Sequence, residues 1–243
     1  MAEASTHEEW LRQMEAESRA KQAAFMDGIA RKLKRPRVTE APAHPMRGAP
    51  DFWYAFELSL EEKIERFISN WTSVGGHAAR LPDMDAVRDF IAGKAAEMGA
   101  RHVLRQNEPE LVALDLEAAL PDAQVSVWNA DPNVNWKARA AEADFGVVMA
   151  DYAAAYTATV TVMSSKDKGR SVSLLPTVLM IVIPADRLRT RMGEALADLD
   201  RAGRENLPAG VHFISGPSRS SDIENDLTIG VHGPGIVFAL IVG

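Results

Sequence analysis

The feature that most limits what this 243-residue chain can fold into is a repeating order of segments between Ser59 and Met149, in which an amphipathic stretch is followed by a short apolar run. Ser59-Leu-Glu-Glu62 has the form of a capping box, the Ser59 hydroxyl and the Glu62 carboxylate each satisfying the other's exposed amide. Leu60, Ile64, Phe67, Ile68 and Trp71 then recur at helical spacing until Gly75-Gly76 ends the helix. His77–Leu81 follows as a short strand. Pro82-Asp83 opens a second helix through Val87, Ile91 and Met98 to Gly99, and residues 102–104 form the next strand. The order continues with a helical segment after Pro109, a strand at 125–128, a helix around 136–143 and a strand at Phe145–Met149. Such alternation predicts an α/β fold, a mostly parallel sheet covered by helices on both faces.

Beyond Met149 the pattern changes. Residues 152–183 are β-rich, with Thr157, Thr159, Val160, Thr161 and Val162 before a charged turn at Lys166-Asp-Lys-Gly-Arg170 and the apolar run 178–183 after it. This predicts strands paired as a hairpin or in similar close contact. A helix is expected over 186–201, with Leu188, Met192, Leu196 and Leu199 on its apolar face.

Near the C-terminus two polar loops are flanked by apolar runs: Phe213-Ile-Ser-Gly-Pro-Ser-Arg-Ser-Ser-Asp-Ile-Glu224, and Gly230-Val-His-Gly-Pro-Gly235 ahead of Ile236–Val242. Val211–Ile214 reads as a buried strand whose chain turns sharply at Ser215-Gly216-Pro217. The hydroxyls of Ser218 to Ser221, with Asp222 and Glu224 behind them, suit the cap and first turn of a short helix, where exposed backbone donors favour anions. Gly230 and Gly233 bracket His232 and let the backbone pass close to a ligand. The candidate anion site therefore joins Arg170 as clamp, Gly216, Ser218, Gly230 and Gly233 as donors or close approaches, and His232, Glu224 and Asp222 as proton-transfer groups. Both loops are equally consistent with turn chemistry alone, His232 then being a hydrogen-bonded structural histidine.

The N-terminal segment before Ser59 is of another kind. Residues 8–34 contain no helix breaker except Gly28, and Trp10, Met14, Phe25, Ile29 and Leu33 make an intermittent stripe among many charges. Arg31, Lys32, Lys34, Arg35 and Arg37 collect at the end of this helix, where cations are favourable; a docking arm for an acidic partner is the sharper alternative. Pro36, Pro42, Pro45 and Pro50 mark a linker, and Phe52-Trp53-Tyr54-Ala55-Phe56 follows, placed either to seal the arm onto the domain or to face a partner subunit. The organisation is thus a helical arm (1–35), a proline-rich linker (36–51) and an α/β domain (52–243).

Composition excludes several functions. With no cysteine, the chain makes no disulfide, runs no thiolate catalysis and holds no iron–sulfur cluster on its own thiolates, so no cofactor of its own is expected. No apolar run approaches the ~20 residues of a membrane span, a secretory apolar segment is missing, and Glu8, Glu9, Glu15 and Glu17 argue against a transit peptide, so a cytoplasmic location is expected. A net charge of −7 opposes general nucleic-acid binding. His77 and His102 lack metal-ligand spacing, and neither a dinucleotide glycine fingerprint, a Walker loop, a zinc-protease motif nor a nucleophile elbow occurs.

The run 213–224 with Gly230-Val-His-Gly-Pro resembles the hallmark of the lactate utilization protein C family, built on the LUD domain. Gly169-Arg-Ser-Val-Ser-Leu-Leu-Pro176 agrees, as do residues 153–159, including Thr157, after Asp144-Phe145-Gly146, and the arm 25–37 with its proline-rich linker. The resemblance implies a three-layer α/β/α fold like that of the ribose-phosphate isomerase and coenzyme A transferase group, with Thr157 in the ligand-binding region. It also implies a part in oxidising L-lactate to pyruvate together with iron–sulfur partner proteins, as a non-redox component. The alternative is a stand-alone enzyme of that fold acting on a thioester, nucleotide or phosphorylated compound. In one place the chain departs from the family's usual Ala-Glu-Thr-Gly-Thr: it reads Ala155-Tyr156-Thr157-Ala158-Thr159, so a carboxylate nucleophile is replaced by a phenol.

Overall fold

The structure is a computed structural model that describes residues 2–40, 56–221 and 227–243. It divides into two compact units, Met1–Phe56 and Glu57–Gly243. In the first, α1 (Ala2–Lys32) is one continuous helix ending in Arg31 and Lys32. Trp10, Leu11, Met14, Phe25 and Leu33 are exposed. Most of the linker (41–51) and Phe52, Trp53 and Tyr54 lie outside the described residues.

The second unit follows the predicted alternation. Its elements are α2 (Leu60–Ser73), β1 (His77–Leu81), α3 (Met84–Glu97), β2 (His102–Arg105), α4 (Pro109–Val112), α5 (Leu116–Ala119), β3 (Gln124–Val127), α6 (Trp136–Ala141) and β4 (Phe145–Met149). Then come β5 (Tyr152–Ala154), β6 (Thr159–Met163), α7 (Arg170–Leu174), β7 (Val178–Pro184), β8 (Leu188–Arg189), α8 (Met192–Ala202), β9 (Val211–Ile214), β10 (Arg219–Ser221), β11 (Leu227–Ile229) and β12 (Ile236–Val242). The capping box forms: the Glu62 amide donates to Ser59 Oγ, and the Ser59 amide donates to the Glu62 carboxylate at 2.8 Å. From there α2 buries Ile64, Phe67 and Trp71, each such side chain contributing roughly 1.5–3 kcal/mol.

The main sheet is six-stranded, in the order β1-β12-β7-β4-β2-β3, and every pairing is parallel. Side chains along it alternate between two cores. Leu179, Ile181, Ile183, Val237, Ala239 and Ile241 face one that also holds Ile64, Phe67 and Val172. Val178, Met180, Val182, Phe238 and Leu240 face the other, with Val87, Ile91, Leu111 and Leu116. Both faces are therefore covered, giving the three layers. A strand buried on both faces reads as an unbroken apolar run, which is why β7 and β12 stand out in sequence.

The β-rich segment needs correcting. Residues 178–183 do not pair with 157–162; the hairpin joins β5 to β6, and β6 goes on to pair antiparallel with β9. The wholly apolar β7 belongs at the centre of the parallel sheet, whereas β5, β6, β8 and β9 form a separate four-stranded sheet in the order β8-β5-β6-β9. Leu188 lies in β8, and the helix expected from 186 starts only at Met192, because residues 185–187 form a single 3-10 turn. Val211–Ile214 is a partly buried edge strand rather than a fully buried one. Among the described residues, no helix is long and apolar enough to cross a membrane.

Candidate functional site

The two glycine-bearing loops converge. Residues 215–218 leave β9 and residues 230–235 lead into β12, and they are joined by hydrogen bonds from Ser218 N to Pro234 O (2.9 Å) and from Gly230 N to Ser218 O (3.0 Å). Between them and α7 lies a cleft of about 280 Å³, with Ser173, Ser215, Ser218 and His232 in its wall and Leu174, Leu179 and Val237 as apolar lining. His232 also borders a second hollow of about 570 Å³, shared with Pro176, Thr177 and Ile229.

Two glycines make this approach possible. Gly216 has φ +83°, a left-handed backbone, and a Cβ there would stand 2.9 Å from Val74 Cγ2. A Cβ on Gly233 would stand 3.2 Å from Ser218 Cβ. The amides of Gly216, His232 and Gly233 donate to no backbone carbonyl among the described residues. With the Ser218 hydroxyl they form a set of donors suited to a carboxylate or phosphate, next to an apolar wall for the carbon skeleton, while Ser173 Oγ donates to Arg170 O at 3.1 Å and Ser215 Oγ pairs with Thr159 Oγ1. Thr157 connects to this site through hydroxyls: Thr159 Oγ1 is 2.9 Å from Thr157 Oγ1 and 2.8 Å from Ser215 Oγ.

The remaining expected residues fare differently. Arg170, exposed at the start of α7, packs its Cδ near Gly210, beside His212 Nε2 and Ser164 Oγ, and is not part of the cleft wall. Burial and the charge of Arg170 hold the pKa of His212 below the usual histidine value. Asp222 and Glu224 lie outside the described residues. The short helix expected at 218–221 is instead β10, which pairs antiparallel with β11 through Arg219 and Ile229. Arg219, Ser220 and Ser221 pair with Ile229, Thr228 and Leu227, two of which are β-branched, and this favours a strand over a cap.

The cleft's position also differs from the usual one. Leu179 and Val237 are the second residues of β7 and β12, so the site sits at the amino ends of the parallel strands. Ligands in open α/β sheets commonly sit outside the carboxyl ends, where neighbouring strands send their connections over opposite faces. In this sheet that point is between β2, whose connection carries Leu111 and Leu116 into one core, and β4, whose connection carries Val172 into the other.

There the chain places polar residues that the sequence alone did not single out. Lys168, 8% exposed, bridges Asp151 (2.6 Å) and Glu108 (3.3 Å). Asp151 also accepts from Met163 N, and Gln106, fully buried, accepts from Met149 N. Burial raises the pKa of Glu108 against the opposing pull of Lys168. Lys168 and Asp151 thus spend their charges on each other and brace the loops. The available signal was a charged residue, Asp151, directly after the apolar run 145–150.

Residues 64–242 match the family model described as the LUD domain. The chain belongs to the LUD domain family. Among its relatives, a protein from Halalkalibacterium halodurans named "Lactate utilization protein C" is 35% identical over 86% of this chain and 92% of its own length. One of the same name from Bacillus subtilis is 30% identical over 88% of this chain and 92% of its own. A solved structure described as a DUF162 family protein from Deinococcus radiodurans covers 76% of this chain and 99% of its own, with TM-score 0.58 at 21% identity, and shares the fold.

Every described residue of the cleft lies within this LUD domain, whereas α1 precedes it. Tyr156, on the turn between β5 and β6, is 43% exposed rather than packed in the core. Ala158 has a left-handed backbone with φ +45°.

Proposed function

We propose that this LUD-domain protein serves lactate utilization, as its relatives' name suggests, and that it does so in the cytoplasm by holding a small carboxylate or phosphate compound in the cleft between residues 215–218 and 230–235. The observation carrying this reading is the convergence of two glycine-bearing loops around one cleft, with the Ser218 hydroxyl and amides that donate to no backbone carbonyl among the described residues. Oxidation of lactate to pyruvate removes two electrons and two protons. A chain without cysteine offers no thiolate to hold an iron–sulfur cluster, so iron–sulfur partner proteins carry the electrons in this reading. His232 is the one titratable side chain in the cleft wall among the described residues; it accepts one of the two protons, and the other passes to solvent water.

Calorimetric titration with L-lactate, pyruvate, inorganic phosphate and acetyl-coenzyme A tests the binding step. Saturable binding of at least one of them is expected, weakened at least tenfold by Gly233→Val, whose side chain would press on Ser218. No binding by any of the four, with the protein folded, would remove the cleft from the proposal. Pull-down of iron–sulfur proteins from lactate-grown cells tests the partner step separately.

A further inference from the structure

The helix α1 carries its charges in two blocks. Between His7 and Ser18, Glu8, Glu9, Glu15 and Glu17 stand against Arg12 alone; between Arg19 and Lys32, Arg19, Lys21, Arg31 and Lys32 stand against Asp27 alone. Over residues 7–32 the two blocks carry −3 and +3, and Glu3 adds a further acid to the first. Each half also has exposed apolar side chains, Trp10, Leu11 and Met14 in the acidic half and Phe25 and Met26 in the basic half, with Leu33 just beyond the helix. At 3.6 residues per turn, Trp10, Met14, Phe25, Leu11 and Ile29 fall on one side of the helix, which Lys21 and Lys32 share. A solvated helix needs no such side, and large apolar groups left in water mark an interaction surface.

We propose that α1 pairs antiparallel with α1 of a second copy of this chain. A two-fold axis near Ala20 sets Leu11 opposite Ile29 and Met14 opposite Phe25 of the other copy, and lays each acidic half along the other's basic half. A parallel pairing would set like blocks together and is disfavoured. The acids already engaged within the helix give little resistance. Glu8 with Arg12 and Glu15 with Arg19 are exposed pairs one turn apart, of the kind that contributes little. The basic cluster at the end of α1 thereby finds its acidic partner in the same sequence, as an isologous interface requires.

Sedimentation equilibrium and light scattering on the full chain test this. The wild type is expected to show twice the chain mass at micromolar concentration. A variant with Glu8→Lys, Glu9→Lys, Glu15→Lys and Glu17→Lys, and another with Arg19→Glu, Lys21→Glu, Arg31→Glu and Lys32→Glu, should each dissociate at least tenfold more readily. An equimolar mixture of the two should return to the dimer mass, because the blocks are again complementary; circular dichroism of each variant checks that the helix persists. A monomeric wild type, which is also the outcome if α1 serves a different protein or its own domain, overturns the proposal. So does a dimer indifferent to both variants, or a mixture that stays monomeric.

Discussion

Ala158 shows how much one methyl group can weigh. Holding an L-residue at φ +45° costs roughly 1–2 kcal/mol, while burial of its methyl, 1% exposed, returns about 0.8 kcal/mol. The two nearly cancel, so Ala158→Gly is expected to change unfolding free energy in urea by less than about 1 kcal/mol. Ala158→Val, adding a β-branch to a left-handed buried position, should cost at least about 2 kcal/mol. His212 gives a pH dependence. Its pKa in the folded protein lies below the ordinary 6.5, first through burial and then through Arg170, so the unfolded chain takes up the proton first as pH falls. Its contribution is fully present above that value and is lost as the solution becomes more acid. Urea midpoints between pH 7.5 and 5 should fall less steeply in His212→Gln than in the wild type. At this scale the sequence was informative where chemistry is local: Gly216 and Gly233 announce close backbone approaches. It was mute where chemistry is pairwise, since nothing near Lys168 in sequence points to Asp151 or Glu108.

Among elements, the readable ones were those whose pattern meets a single demand. The capping box and apolar spacing of α2, and the unbroken apolar runs of β4 and β12, mark their elements plainly, whereas the run of β7 marks a strand without fixing the sheet it joins. The short strands did not: β8 is two residues long and β10 three, and their sequences also suit a helix start or a cap. The loops after β2 and β4 depend on the buried charges between them. Lys168→Met would leave Asp151 and Glu108 without their cation, and a loss of roughly 3–5 kcal/mol in chemical denaturation is expected. Glu108→Gln should cost far less, since Lys168 keeps Asp151 at 2.6 Å and the replaced carboxylate already pays for its burial.

For the molecule as a whole, alternation of helix and strand was enough to give the class of fold and the two covered faces of the sheet. It could not give the strand order, because β12 enters between β1 and β7 from the far end of the chain. That order also decides where the loops gather. Because residues 230–235 precede β12 and residues 215–218 follow β9, the cleft opens at the amino ends of the parallel strands, not at the crevice between β2 and β4. The same insertion shapes how the protein is made. His77 meets Phe238 across the sheet, stacked at 4.8 Å, over a sequence separation that ranks among the slowest kinds of contact to close. As the chain leaves the ribosome, β7, β4, β2 and β3 can assemble early, while β1 has no neighbour until the twelfth strand has been translated. Until then β1 has no strand to pair with, and that interval is when a chaperone would have the most to hold.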